Sequence, residues 1–278
     1  MEIFADYSAG WLFGLALSLM VTGIIAGLMA GLLGVGGGIV IVPVLYHIFT
    51  FLGVDEAVRM HVAVGTSLAT IIPTSIMSSR SHFNRGSLDP QILKKLVPGV
   101  IIGVVIGVIV SGILNGQVLT GIFAVIALLV SLNMAFKEEG FSVSDGLPGP
   151  AGSGGLGILI GGISTLMGIG GGTLSVPILS AMRVPMITAV GTGAALGFVI
   201  SVPGAIGFLI NGIGVESRPP LTLGYVNLIG LALIVPATML MAPVGAKLAH
   251  AINAKRLKQL FALFLFITSL RMFYGVLT

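Results

Sequence analysis

Long apolar stretches follow one another along this chain almost without pause, broken by short polar or glycine-rich punctuation. Runs of roughly 17–25 apolar residues are the length that a helix needs to cross a bilayer. Read this way, the pattern predicts segments at about 11–33, 36–52, 58–80, 93–113 and 117–136. It predicts a second set at about 152–168, 170–183, 187–211, 223–248 and 255–277. The second segment of each set is short and begins in a glycine run, so it reads as a half-helix or a re-entrant piece. The longest polar stretch is the linker at 137–151. It separates a first repeat at 1–136 from a second at 152–278.

The two sets are copies of one another. Gly34-Val35-Gly36-Gly37-Gly38, followed by Val42-Pro43, returns as Gly168-Ile169-Gly170-Gly171-Gly172, followed by Val176-Pro177. Ala63-Val64-Gly65-Thr66 returns as Ala189-Val190-Gly191-Thr192. Pro98, Gly107, Asn115 and Phe123 return, at a constant offset of 138, as Pro236, Gly245, Asn253 and Phe261. A duplicated, glycine-punctuated membrane unit is the sequence pattern of a secondary transporter.

Composition agrees and removes alternatives. The chain is 56% hydrophobic and only 8% charged, where soluble domains carry about a quarter charged residues. It has no cysteine, which excludes disulfides and thiolate metal sites. Glu2 and Asp6 precede the first apolar run with no basic residue, unlike the charged start of a signal peptide. The net charge of +4 sits in short loops and is no nucleic-acid footprint.

The placement of charge predicts orientation. If the loop carrying Arg80, Arg85, Lys94 and Lys95 is cytoplasmic, as the positive-inside rule suggests, so are Lys137, Arg183, Lys247, Lys255, Arg256 and Lys258. Only Arg59, Arg218 and Arg271 then lie outside. Matched loops swap character, since 81–92 is basic where 212–222 is nearly neutral. The expected fold is an all-α polytopic membrane protein of two inverted-topology repeats, both termini extracytoplasmic.

The paired Gly-Leu-Leu-Gly-Val-Gly-Gly-Gly (31–38) and Gly-Ile-Gly-Gly-Gly (168–172) motifs, each followed by Val-Pro, resemble those of the sulfite exporter TauE/SafE family, also called the toluene-sulfonate uptake permease family. So do Ala-Val-Gly-Thr-Ser (63–67) and Ala-Val-Gly-Thr-Gly (189–193). The resemblance spans nearly the whole chain. It implies a carrier for sulfite, an organosulfonate or a related anion in a bacterial inner membrane. The motifs specify the family far better than the substrate.

Glycine runs inside a membrane segment end helices and let backbones come close. Broken helices at bilayer depth survive only where protein buries them or a wet cavity adjoins them. If Gly36, Gly37 and Gly38, and likewise Gly170, Gly171 and Gly172, open short helices, their N–H groups and dipole ends form an anion site without a buried cation. Tight helix packing is the alternative reading. The hydroxyls of Thr66, Ser67, Thr173 and Thr192 are further candidates, against the plainer role of bonding a carbonyl one turn back. Pro43 and Pro177 are candidate hinges.

No Asp or Glu lies mid-segment, which argues against a carboxylate relay. His47 and His61 lie in segments without counterparts in the other half, and Arg271 is placed to reach the surface. No metal site, cofactor or catalytic constellation is expected, and the glycine runs lack the strand and acidic partner of a dinucleotide fingerprint. A passive anion channel or a carrier for a carboxylate anion stays open beside the sulfur-anion carrier. A homodimer, lipid contacts and a coupling proton or sodium ion are the partners that such a protein takes.

Overall fold

The computed structural model describes residues 9–136, 146–249 and 254–277. The linker residues 137–145 and Asn253 lie outside the described residues, as do the side chains of Lys255, Arg256 and Lys258. Ten helices follow one another among the described residues. They are α1 (Ala9–Leu33), α2 (Gly38–Phe51), α3 (Glu56–Asn84), α4 (Pro90–Ile113), α5 (Gly116–Phe136), α6 (Pro150–Met167), α7 (Gly172–Ala181), α8 (Met186–Asn211), α9 (Leu228–Leu248) and α10 (Ala254–Leu277). Seven are long and apolar enough to cross a membrane, while α2 and α7 are shorter apolar helices. This is an all-α polytopic membrane protein.

One element differs from the sequence expectation. The segment read as a helix from 223 begins at Leu228, behind a two-stranded hairpin pairing Thr222 with Asn227 and Leu223 with Val226. Gly224 at φ +55° turns the hairpin, and the Asn227 side chain accepts the Gly230 N–H at 2.9 Å to start α9. Hydropathy alone does not separate this apolar hairpin from the helix that it feeds.

Glycines set how the helices pack. Along α1, Gly23 and Gly27 face the backbones of Ile234 and Thr238, and Gly31 faces Ala242, so α1 and α9 run parallel with backbones in contact. In the same way Gly99, Gly103 and Gly107 of α4 face Gly154, Ile158 and Gly162 of α6, again in parallel. Small residues at such spacing are how membrane helices approach closely without a hydrophobic driving force. At the centre, α3 and α8 cross antiparallel, with Gly65 against Phe208, Leu68 against Gly204 and Ser75 against Gly197. Thr66 meets Gly230 and Thr74 meets Thr238, so α3 runs with α9, while Asp89 meets Thr192 and Val108 meets Gly207, so α4 runs with α8. The first, third and fourth helices of the second half therefore each run opposite to their counterparts in the first. The largest helix pairings recur when the halves are exchanged, α1 with α9 answering α6 with α4, α3 with α9 answering α8 with α4, and α2 with α3 answering α7 with α8.

Candidate functional site

The two glycine runs meet at the core of the bundle. After Leu33 the chain turns back through Gly34–Gly37, with positive φ at Gly34, Gly36 and Gly37, and α2 starts at Gly38 beside Ile71, the middle of α3. The second half repeats this: α6 ends in a left-handed Gly168, and α7 starts at Gly172 beside Gly193 of α8. The runs then cross antiparallel. Gly34 touches Gly172, Gly36 touches Gly170, and Gly38 touches Gly168. A Cβ on Gly36 would fall 2.9 Å from the Gly170 Cα, and one on Gly170 would fall 2.7 Å from the Val35 carbonyl oxygen. Only glycine permits this approach.

The crossing leaves donors unused. The carbonyl of Gly37 accepts from Val40 and Ile41, and that of Gly171 accepts from Ser175, so both short helices are closed at their first turn. Among the described residues, the N–H groups of Gly36, Gly37, Gly170 and Gly171 donate to no backbone acceptor. The free N–H groups of two helix starts thus lie back to back, carrying the positive ends of two helix dipoles.

Hydroxyls surround the crossing unevenly. Ser67 donates to the Gly168 carbonyl at 2.6 Å, tying α3 to the second run. The hydroxyls of Thr173, Ser175 and Ser164 are buried and have no hydrogen-bond partner. Their counterparts in the first half are Ile39, Ile41 and Ala30, all fully buried and apolar. Ser175 presents its Oγ to α8 where Gly193 leaves room for it. A buried hydroxyl without a partner carries a desolvation cost of about 1–3 kcal/mol. Among the described residues the second half holds all of the unmatched hydroxyls at this crossing, and the first half holds none. Sequence reading named Thr173 and passed over Ser164, whose glycine-rich helix gives no motif signal.

Thr66 and Thr192 do something else, and both do the same thing. The Thr66 Oγ1 accepts the Asn227 N–H at 2.8 Å, and the Thr192 Oγ1 accepts the Asp89 N–H at 3.3 Å. Asn227 and Asp89 are the N-cap residues of α9 and α4, matched positions of the two repeats. Beside them, Gly65 and Gly191 lie on the carbonyls of Tyr225 and Ser87, also matched positions. The Ala-Val-Gly-Thr motif therefore clasps the head of a fourth helix, with the glycine giving close approach and the threonine accepting an N–H. Thr66→Val should leave the buried Asn227 N–H unpaired and lower stability by about 1–3 kcal/mol. Thr66→Ser should restore it, and thermal unfolding in detergent reads both.

Pro43 and Pro177 lie inside α2 and α7, six positions into each helix, where each removes one backbone donor. His82, not singled out from sequence, is fully buried at the far end of α3. Its Nε2 faces the Gly31 carbonyl at 2.9 Å and its Nδ1 faces Ser87 Oγ at 3.0 Å, joining α1 to the α3–α4 turn.

The family model described as sulfite exporter TauE/SafE matches residues 19–272, which takes in both glycine runs, both clasps and all the buried hydroxyls named above. The chain belongs to the TauE/SafE family. It is 33% identical over 262 residues to a probable membrane transporter protein of Haemophilus influenzae, covering 94% of this chain and 99% of that one. A probable membrane transporter protein of Methanocaldococcus jannaschii is 26% identical over 85% of this chain and 86% of its own length. The probable membrane transporter protein YunE of Bacillus subtilis is 28% identical over 85% of this chain and 88% of its own. No solved structure matches the chain. As a TauE/SafE member with seven apolar spans among its described residues, the protein is a multi-pass membrane transporter.

Proposed function

We propose that the protein is a secondary carrier that moves sulfite, an organosulfonate or a related sulfur oxyanion across a bacterial inner membrane by alternating access. The crossing of the two glycine runs carries this reading. Sulfite and sulfonate oxygens only accept hydrogen bonds, so their site needs donors. The crossing offers unused N–H groups from Gly36, Gly37, Gly170 and Gly171, joined by the helix starts at Gly38 and Gly172 and the unpaired hydroxyls of Thr173 and Ser175. Each helix end adds about 0.3–2 kcal/mol toward an anion. Among the described residues no cationic side chain is placed at the crossing, which suits a carrier, because an anion held too firmly is not released. Ser67 occupies the Gly168 carbonyl by donating to it, which ties α3 to the second run. Thr66 and Thr192 support the site from the clasps.

The opposed directions of counterpart helices support an inverted repeat, the architecture in which half-helices aim their N-termini at anionic substrate groups. Basic residues gathered at the α3–α4 turn support a cytoplasmic placement for that end. Purified protein in proteoliposomes should take up labelled sulfite or taurine, and preloading with the unlabelled anion should speed uptake by counterflow. Flux without counterflow acceleration identifies a channel instead. Accumulation that tracks an imposed pH or sodium gradient names the coupling ion. Transport of carboxylates in preference to every sulfur anion would overturn the substrate class.

A further inference from the structure

The two ends of the bundle are closed to different degrees. Where α3 begins, several ties hold the end shut. His61 donates from Nε2 to the Ser111 carbonyl at 3.0 Å, and its ring stacks on Tyr225 with centroids 5.0 Å apart. Arg59 lies over the Tyr46 ring at 5.6 Å and donates to the Val54 carbonyl at 2.8 Å. α5 starts hard against the first turn of α3, with Gly116 on the Glu56 and Ala57 carbonyls. Burial pushes the Tyr225 phenol above its ordinary value. Met60, His61, Val62 and Asn227 are buried as a result.

The opposite end, where α8 begins, holds the counterpart positions in a looser setting. Met186, matching Met60, is 44% exposed, and Ile187 and Thr188, matching His61 and Val62, are half-buried. A surface depression of about 600 Å³ opens there, lined by Asp89, Met182, Arg183 and Thr188 among others, against one of about 390 Å³ between Gly214 and Thr222 at the other end. The sequence explains the difference. The positions that match His61, Tyr225, Arg59 and Tyr46 are Ile187, Ser87, Pro185 and Ser180, which can form neither the stack nor the cation–π contact. Thr188 lies one turn before Thr192 on α8, and Asp89 is bound to Thr192, so the depression lies over the outer side of that clasp.

We propose that the cavity at Asp89, Arg183 and Thr188 is the vestibule by which an oxyanion reaches the crossing from the cytoplasm. The His61–Tyr225 stack is then the latch that keeps its counterpart vestibule, at Arg59, Val62 and Asn227, shut in this state. The proposal rests on the carrier reading, and it adds which end is open and what holds the other closed. Releasing the latch lets α3 and α8 exchange settings, because the two halves are built on the same packing.

The native chain has no cysteine, so single cysteines report cleanly. Thr188→Cys should react with a membrane-impermeant maleimide from the cytoplasmic face at least 10-fold faster than Val62→Cys reacts from outside. Adding Tyr225→Leu, which removes the stack but keeps the His61–Ser111 bond, should raise Val62→Cys labelling several-fold and slow that of Thr188→Cys. Adding His61→Ala should extend both changes, and monodispersity in detergent confirms that the variants fold. Equal labelling of the two positions in the intact protein, or rates indifferent to Tyr225→Leu, would overturn the latch. Sulfite flux measured on the same variants separates the two readings. Labelling that shifts without any sulfite transport faults the carrier and leaves the latch standing, whereas transport with unshifted labelling faults the latch alone.

Discussion

Gly36→Ala is expected to abolish transport and to cost the folded protein about 2–5 kcal/mol. Two penalties act together at this position. The backbone sits at φ +72°, where a Cβ costs about 1–2 kcal/mol against the following carbonyl. The same Cβ would fall 2.9 Å from the Gly170 Cα and 3.2 Å from Ile71, so two backbones that define the crossing must separate. Overpacking a tight interior costs typically 1–3 kcal/mol. Gly172→Ala adds no backbone strain but places its Cβ on the Gly34 carbonyl, so it tests the crossing without the left-handed term. Gly155→Ala, in α6, is the control: its Cβ would meet nothing within 4 Å, and it should fold and transport near the level of the unmodified chain. Thermal unfolding and sulfite flux measured on all three variants check the expectation. Normal flux in Gly36→Ala would mean that the crossing is no part of the route.

Helix existence and order were readable from hydropathy alone, because each span is a long apolar run closed by glycine, proline or charge. The short second helices were readable too, since their glycine runs appear twice. What hydropathy could not separate was the hairpin at 222–227 from α9, because Leu223 and Val226 are as apolar as the helix that follows. The glycine runs announced close backbone approach and a shared site, and the fold adds that the two runs lie directly against each other. For Thr66 and Thr192 the repeat signalled a shared role, and the fold supplies one: each receives an N–H from the opposite half. That partner lies 161 residues away for Thr66, beyond the reach of any local pattern. Ser164 was harder still, since a lone serine in a membrane helix usually bonds a carbonyl one turn back, and only burial without a partner sets it apart. The His61–Tyr225 stack joins residues from different halves, neither of which has a matching residue in the other repeat.

Ser175→Ala and Thr173→Val separate binding from folding at the candidate site. In most buried positions, removing a hydroxyl destabilises, because a bonded neighbour loses its partner. Here neither hydroxyl has one, so the folded protein without substrate should be unchanged or more stable by up to about 1 kcal/mol. Substrate should feel the opposite effect. A hydrogen bond to a charged group contributes about 1.5–3 kcal/mol, so losing one should weaken sulfite or sulfonate affinity roughly 10- to 100-fold. The double variant should approach the product of the two single losses if both hydroxyls touch the anion. Ile39→Thr and Ile41→Ser, the same hydroxyls placed in the first half, should lower stability without rescuing the double variant, because the donors would belong to the other helix start. Titration calorimetry with sulfite and taurine, beside thermal unfolding without either, reads both effects on one sample. An undiminished affinity in the double variant would move the anion off the second half and leave these hydroxyls without a role in binding.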